Sequence, residues 1–126
     1  MILGIGVDMV EIRRIKRLYD KNPSRVLERI YGDEEREYLK TKKNPYPHLA
    51  ARFCAKEAFS KALGTGIGKI SLKDFQVINE PSGSPRAIVR GKARELLDDM
   101  GDYRVHVSLS HTEEMAVSYV LISLIS

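Results

Sequence analysis

His48-Leu49-Ala50-Ala51-Arg52-Phe53-Cys54-Ala55-Lys56-Glu57-Ala58-Phe59-Ser60-Lys61-Ala62-Leu63-Gly64 decides the fold. It predicts one long helix from about His48 to Leu63, stopped by Gly64 in the C-cap position. Ala51, Ala55, Ala58 and Ala62 make a stripe of small residues at helical spacing, which lets a sheet pack close. Glu57 and Lys61 stand at i and i+4 on the flank of that stripe, and Arg52 and Lys56 form a separate basic pair. Glu57–Lys61 is either an exposed pair worth a few tenths of a kcal/mol or a buried pair with a chemical task. Phe53, Cys54, Ala58 and Phe59 around it favour burial.

Outward from this helix, residues 2–10 alternate, with Ile5, Val7 and Met9 on one face and Gly4, Gly6 and Asp8 on the other. That is a strand with small residues on one side. Asp8, in the middle of an apolar run, must be paired, hydrogen-bonded or on a cation, unless it only caps the next helix. The glycines leave room for a ligand or another backbone. Residues 11–21 are helical. Asn22-Pro23-Ser24 is a break, with Ser24 as the N-cap of a short helix, and Asp33 is the N-cap of another. Residues 42–47 form a loop.

Beyond the long helix, strands at 74–79 and 86–89 flank the turn Glu80–Pro85. Residues 91–100 read as helix, and 104–110 with 115–124 as a closing hairpin. This order predicts an α+β fold in one domain, 1–126. Residues 115–124 are apolar on both faces, and so small a domain hides only one, so a neighbouring subunit is expected on the other.

The 126 residues include one cysteine, Cys54, which excludes an internal disulfide and suits a reducing, cytoplasmic setting. No apolar run reaches the roughly 18 residues of a membrane span, and no basic leader precedes the first strand. The net charge of +4 is concentrated in residues 13–29, with seven basic side chains against Asp20 and Glu28. Either that is a solvated helix face or its partner is acidic. A nucleic-acid module would explain the cluster but not Asp8 and Glu57, and no RRM, KH or zinc-finger pattern is present.

Gly64-Thr65-Gly66-Ile67-Gly68-Lys69 is a weak phosphate-loop candidate, because it follows a helix instead of preceding one. Ser108-Leu109-Ser110-His111 ends a strand without a nucleophile elbow, so His111 reads as a rim residue. His48, His106 and His111 with one cysteine lack zinc spacing. Two carboxylates without soft ligands favour Mg²⁺.

Gly4-Ile5-Gly6-Val7-Asp8, Arg52-Phe53-x-x-Lys56-Glu57-Ala58-x-x-Lys61-Ala62-x-Gly64 and Ser108-Leu109-Ser110-His111 resemble the three signature stretches of phosphopantetheinyl transferases. Their spacing is similar to that of the short holo-[acyl-carrier-protein] synthase group, as are Glu11-Ile12-Arg13-Arg14-Ile15 and the Gly83-x-Pro85 turn. The resemblance implies an antiparallel sheet packed on a long central helix, a cytoplasmic homotrimer, and sites at the subunit clefts. It implies transfer of 4'-phosphopantetheine from coenzyme A to a serine of acyl carrier protein, releasing adenosine 3',5'-bisphosphate, in support of fatty acid biosynthesis. Asp8 and Glu57 would hold Mg²⁺, for which Mn²⁺ can substitute, and Glu57 and Lys61 would be catalytic. Arg52, Lys56, Gly64, Pro85, Ser110, His111 and Thr112 would bind coenzyme A, and Arg14, Arg17, Lys21 and Arg25 would dock the acidic carrier. Neither nucleic acid nor membrane is an expected partner.

Overall fold

A computed structural model describes residues 1–65 and 68–125. The order is β1 (Ile2–Glu11), α1 (Ile12–Lys21), α2 (Pro23–Ile30), α3 (Asp33–Leu39), α4 (Tyr46–Leu63), a 3₁₀ turn (Leu72–Asp74), β2 (Phe75–Asn79), β3 (Pro85–Val89), α5 (Gly91–Met100), β4 (Tyr103–His111) and β5 (Met115–Leu124). Strands β1, β5 and β4 form an antiparallel sheet in that order, and β2 and β3 form a separate hairpin. The fold is α+β, as expected.

The long helix begins two residues earlier than its spacing predicts, at Tyr46, and ends where Gly64 takes a left-handed φ of 83°. Its alanines, Cys54, Phe59 and Leu63 are buried on nearly all sides, the signature of a helix inside a core. One side carries the β1–β5–β4 sheet and another the β2 hairpin, where Phe59 stacks on Phe75 with centroids 4.3 Å apart. Gly4 and Gly6 answer the question their strand raises: another backbone approaches, not a ligand. A methyl group on Gly4 would strike the carbonyl of Ala62, and one on Gly6 that of Ala58. This strand face and the alanine stripe fit because neither has bulk.

The opposite face of the sheet is bare. Ile5, Val7, Met9 and Tyr119 are each more than two-fifths exposed, although Ala116, Val120 and Ile122 on the inner face are fully buried.

Two helix starts differ from expectation. Asn22, not Ser24, caps α2, accepting from the Arg25 amide at 3.3 Å, with Pro23 at the first helical position. Asp33 lies inside α3, whose N-cap is Gly32. With no side chain at the cap, Gln76 of β2 accepts from the Glu35 amide instead, at 3.0 Å. A long-range partner replaced the local one.

Beneath α3 lies a buried ion pair. Lys56 Nζ is 2.5 Å from Glu35 and 2.6 Å from the Phe75 carbonyl, and Lys56 and Glu35 are 1% and 0% exposed. The other Glu35 oxygen accepts from the Val77 amide at 2.8 Å. Burial pushes the Lys56 ammonium below the usual lysine range, and Glu35 opposes that. The pair joins α3, α4 and β2. Lys56 therefore leaves the coenzyme A set, because its amino group cannot reach a ligand without stranding a buried carboxylate. Lys56→Met should destabilise the chain by about 3–5 kcal/mol, read as a lower urea midpoint with unchanged slope.

Candidate active site at the β1–α4 junction

Because Gly6 lets β1 lie on α4, the next inward residue, Asp8, comes beside Glu57 and Lys61 of the helix. Lys61 Nζ donates to the Val7 carbonyl at 3.0 Å and lies 3.4 Å from Asp8 Oδ1. Its ion partner is thus Asp8 across the interface, not Glu57 on its own helix. Asp8 does not cap α1, whose N-cap is Glu11. Its strand partner is Ser118, which is buried and donates to the Ala51 carbonyl at 2.6 Å. So the carboxylate is held on a rigid strand backed by the helix.

Glu57 sits close enough to Asp8 to feel its charge. Partial burial raises the Glu57 carboxyl above the usual range, Asp8 raises it further, and Lys61 partly offsets this. Two carboxylates on one side of a sheet–helix junction repel unless a cation joins them. Both donors are hard oxygens. Among the described residues no third His, Cys, Asp or Glu joins them. That set fits Mg²⁺, which keeps waters and takes substrate phosphates on its remaining positions. Cys54, one turn before on α4, is buried away from redox chemistry, its thiol pushed up to about 12 by burial and then by Asp8 and Glu57.

A basic groove opens beside the carboxylates. Arg14, Arg17 and Lys21 on one face of α1, with Ile15 and Leu18, face Phe53 of α4 across a cavity of about 340 Å³. Phe53 precedes Glu57 by four residues, so groove and carboxylate share a helix face. Among the described residues none of the three cations has a carboxylate partner. Arg25 is exposed on α2, outside the residues lining the groove. Leu18, 45% exposed, and Phe53 give the groove an apolar floor that the charge pattern alone did not reveal; the i, i+4 spacing of Phe53 and Glu57 was the available signal.

The other expected ligand contacts lie apart within this chain. Gly64 closes α4 beyond Lys61, and Gly66 and Ile67 of the glycine-rich loop lie outside the described residues. Ser110 points to the exposed face of the sheet, opposite Asp8, with β5 between their strands. His111 ends β4 with Nδ1 3.1 Å from the Thr112 carbonyl, and the Thr112 hydroxyl accepts from the Glu114 and Met115 amides. Arg52 is 2% exposed. It donates to the Val77 carbonyl (2.9 Å) and to Asn79 Oδ1 (2.8 Å), the strand partner of Pro85. Arg52 therefore anchors the hairpin that carries Pro85.

The model of the 4'-phosphopantetheinyl transferase superfamily matches residues 4–120. The holo-[acyl-carrier-protein] synthase of Caldanaerobacter subterraneus subsp. tengcongensis is 42% identical over 121 residues, 96% of this chain and 94% of that one. The crystal structure of the holo-[acyl-carrier-protein] synthase from Neisseria meningitidis superposes with a TM-score of 0.89 at 35% identity, over 98% of this chain and 99% of that one. The synthase from Bacillus anthracis, solved in complex with CoA (3',5'-ADP), gives a TM-score of 0.81 at 39% identity and covers 98% of both chains. On a sequence match over nearly the whole chain and a shared fold, this chain belongs to the holo-[acyl-carrier-protein] synthases of the 4'-phosphopantetheinyl transferase superfamily.

Proposed function

We infer that this chain moves 4'-phosphopantetheine from coenzyme A to a serine of apo acyl carrier protein and releases adenosine 3',5'-bisphosphate. The observation that carries it is the junction itself: Asp8, Glu57 and Lys61 gathered at the end of a basic groove. The kinship with holo-[acyl-carrier-protein] synthases supplies the substrates.

The carrier's serine hydroxyl attacks the β-phosphorus of coenzyme A. The bond to the bridging oxygen breaks, and the bisphosphate leaves with that oxygen. Glu57 takes the serine proton, directly or through one water; its raised affinity for a proton suits it to that exchange. Lys61 is held at Asp8 and offsets the charge that builds on the phosphoryl oxygens. Asp8 and Glu57 would hold Mg²⁺, or Mn²⁺ in its place, which supplies charge neutralisation for the pyrophosphate. Gly64, Pro85, Ser110, His111 and Thr112 are the chain's contacts for coenzyme A, and Arg52 acts behind them as the anchor of Pro85.

In this reading Arg14, Arg17 and Lys21 receive the acidic carrier, with Arg25 at the margin of that surface. Ser110 faces the opposite side of the sheet from Asp8, so a complete site draws on neighbouring copies. The bare apolar sheet face gives those copies a surface to meet on, in a homotrimer. A cytoplasmic role in fatty acid biosynthesis follows from the carrier substrate. Among the described residues no helix is long and apolar enough to cross a membrane.

Mass spectrometry of apo acyl carrier protein incubated with this chain, coenzyme A and Mg²⁺ should show the phosphopantetheine mass gain. Asp8→Asn should lower turnover and calorimetric Mg²⁺ affinity together, turnover by roughly a hundredfold; intact Mg²⁺ binding would remove Asp8 from the metal. Arg14→Glu should raise KM for the carrier by about tenfold at low salt, an effect that shrinks as salt rises. Coenzyme A affinity and melting temperature should not move, whereas a solvated face predicts no change in KM. Light scattering at micromolar concentration should return three times the 14.3 kDa chain mass; a monomer mass would refute the assembly.

A further inference from the structure

Helix α1 is held to the body unevenly. Its two buried residues, Ile12 and Ile15, lie in its first half, and its N-cap, Glu11, makes no side-chain cap bond. Arg17, Leu18 and Lys21 of the groove lie in its second half. There a single ring of α4 takes the polar contacts. The Tyr46 hydroxyl donates to Asp20 Oδ1 at 2.9 Å, and Tyr19 meets the Tyr46 ring edge-on with centroids 6.1 Å apart. Lys16 donates to the other Asp20 oxygen at 2.9 Å, and its Nζ lies 4.8 Å from the centroid of the Tyr46 ring. Among the described residues no other side-chain hydrogen bond joins α1 to another element. A helix of 10 residues is marginal by itself, so its setting depends on such contacts.

The two flanks of α1 carry different work. Arg14, Arg17, Leu18 and Lys21 line the groove. Lys16 and Asp20, at i and i+4, lie on the other flank, outside the groove lining. Asp20 is the only acidic residue of α1. Both its oxygens are engaged, one by a cation and one by a neutral donor. Lys16 and then Tyr46 hold its carboxyl below the usual range, so it stays a carboxylate. Tyr46 and Phe53 stand seven residues apart, two turns of one helix, and so share a face of α4. Helix α1 thus meets two aromatic side chains of α4, Phe53 on the groove flank and Tyr46 on the other.

We propose that Tyr46 is a positioning residue for the carrier: by holding Asp20, with Lys16 beside it, Tyr46 fixes the rotation of α1 and so the direction in which Arg14, Arg17 and Lys21 face. The proposal rests on the reading that the carrier docks on that side of α1. Successive residues of a helix are about 100° apart. A rotation of α1 by that angle would bring Asp20 to the place of Lys21 and put the only acid of the helix before an acidic partner, a costly like-charge contact. The latch keeps that acid turned away, neutralised, and in use as the handle that sets the cations. Settling the rotation in the free protein also removes an ordering cost from docking.

The test sets charge against position. Asp20→Ala removes the one acid of α1 and frees Lys16, so long-range attraction alone predicts a lower KM for the acidic carrier. Loss of the latch predicts the opposite: KM should rise about threefold, with kcat and coenzyme A affinity unchanged. Tyr46→Phe keeps the ring and every charge and should raise KM in the same direction. Combined with Asp20→Ala it should be no worse than Asp20→Ala alone, because both remove one interaction. Asp20→Asn, which keeps an oxygen for the Tyr46 hydroxyl, should return KM to the wild-type value or below. A KM that falls or stays level in Asp20→Ala overturns the proposal. So does a joint loss of kcat, coenzyme A affinity and melting temperature, which marks a role in folding alone. Amide hydrogen exchange separates the latch from the docking reading: residues 17–21 should exchange faster in Tyr46→Phe, with α4 unchanged. If they do while Arg14→Glu leaves KM unmoved, the latch stands and the docking assignment fails. Unchanged exchange overturns the latch.

Discussion

The close approach of β1 to α4 is the constraint on which the rest of the structure depends. Gly4 and Gly6 leave no side chain between strand and helix, and Ala58 and Ala62 present bare backbone to them. Contact at that range is possible only when both surfaces are small, which is why a stripe of alanines and a strand of alternate glycines occur in one chain. The energetic return is burial of an entire helix within the core. The functional return is placement: with the strand seated so deeply, its next inward side chain, Asp8, stands level with Glu57 and Lys61. A methyl group on Gly6 would push the strand outward and separate the two carboxylates.

The two faces of that helix divide structure from chemistry. Lys56 and Glu57 are neighbours in sequence, and about 100° of helix rotation sends them to opposite fates. Lys56 enters the interior and closes on Glu35, tying α3 and β2 to the helix. Glu57 faces the strand and keeps partial access to solvent. A buried ion pair is a poor source of net stability, but it penalises any rotation that would separate its partners. The Lys56–Glu35 clamp thus fixes the rotation of α4 about its axis, and that rotation sets where Glu57 points. Arg52 does the same for the β2–β3 hairpin through Val77 and Asn79.

Much of this was legible in the sequence because it is periodic or local. The alanine stripe, the Gly64 stop, the alternation of residues 2–10 and the Glu80–Pro85 turn each declare an element within a few residues of themselves. The α2 cap was misplaced by two positions because Asn22 and Ser24 are both good caps, and Pro23, fixed at the first helical position, decides between them. The α3 cap was not legible at all, since its acceptor, Gln76, comes from 41 residues away. Arg52 and Lys56 show the same limit. Basic residues in a motif read naturally as phosphate ligands, yet their partners, Glu35, Phe75, Val77 and Asn79, are brought to them only by the tertiary fold. The sequence likewise marked the apolar face of β1 without showing that, among the described residues, Ile5, Val7 and Met9 stay exposed on it.

One rigid helix carries Glu57 and Lys61 and walls the groove with Phe53, and this bears on how a long, flexible substrate is managed. Coenzyme A has many rotatable bonds, and holding it in one conformation costs binding energy for each one fixed. A site assembled on loops would add its own ordering cost. Here Glu57 and Phe53 stand one turn apart on a single helix, and that helix is locked by the Gly–Ala contact on one side and the Lys56–Glu35 clamp on the other. The distance between the junction and the groove is therefore set by backbone hydrogen bonds and not by side-chain choice. If the junction holds the phosphates of coenzyme A, the carrier's serine approaches along the groove of Arg14, Leu18 and Phe53. That would bring the reacting phosphorus and the carrier's serine together by geometry already fixed in the free protein, with the core serving as the frame for the reaction.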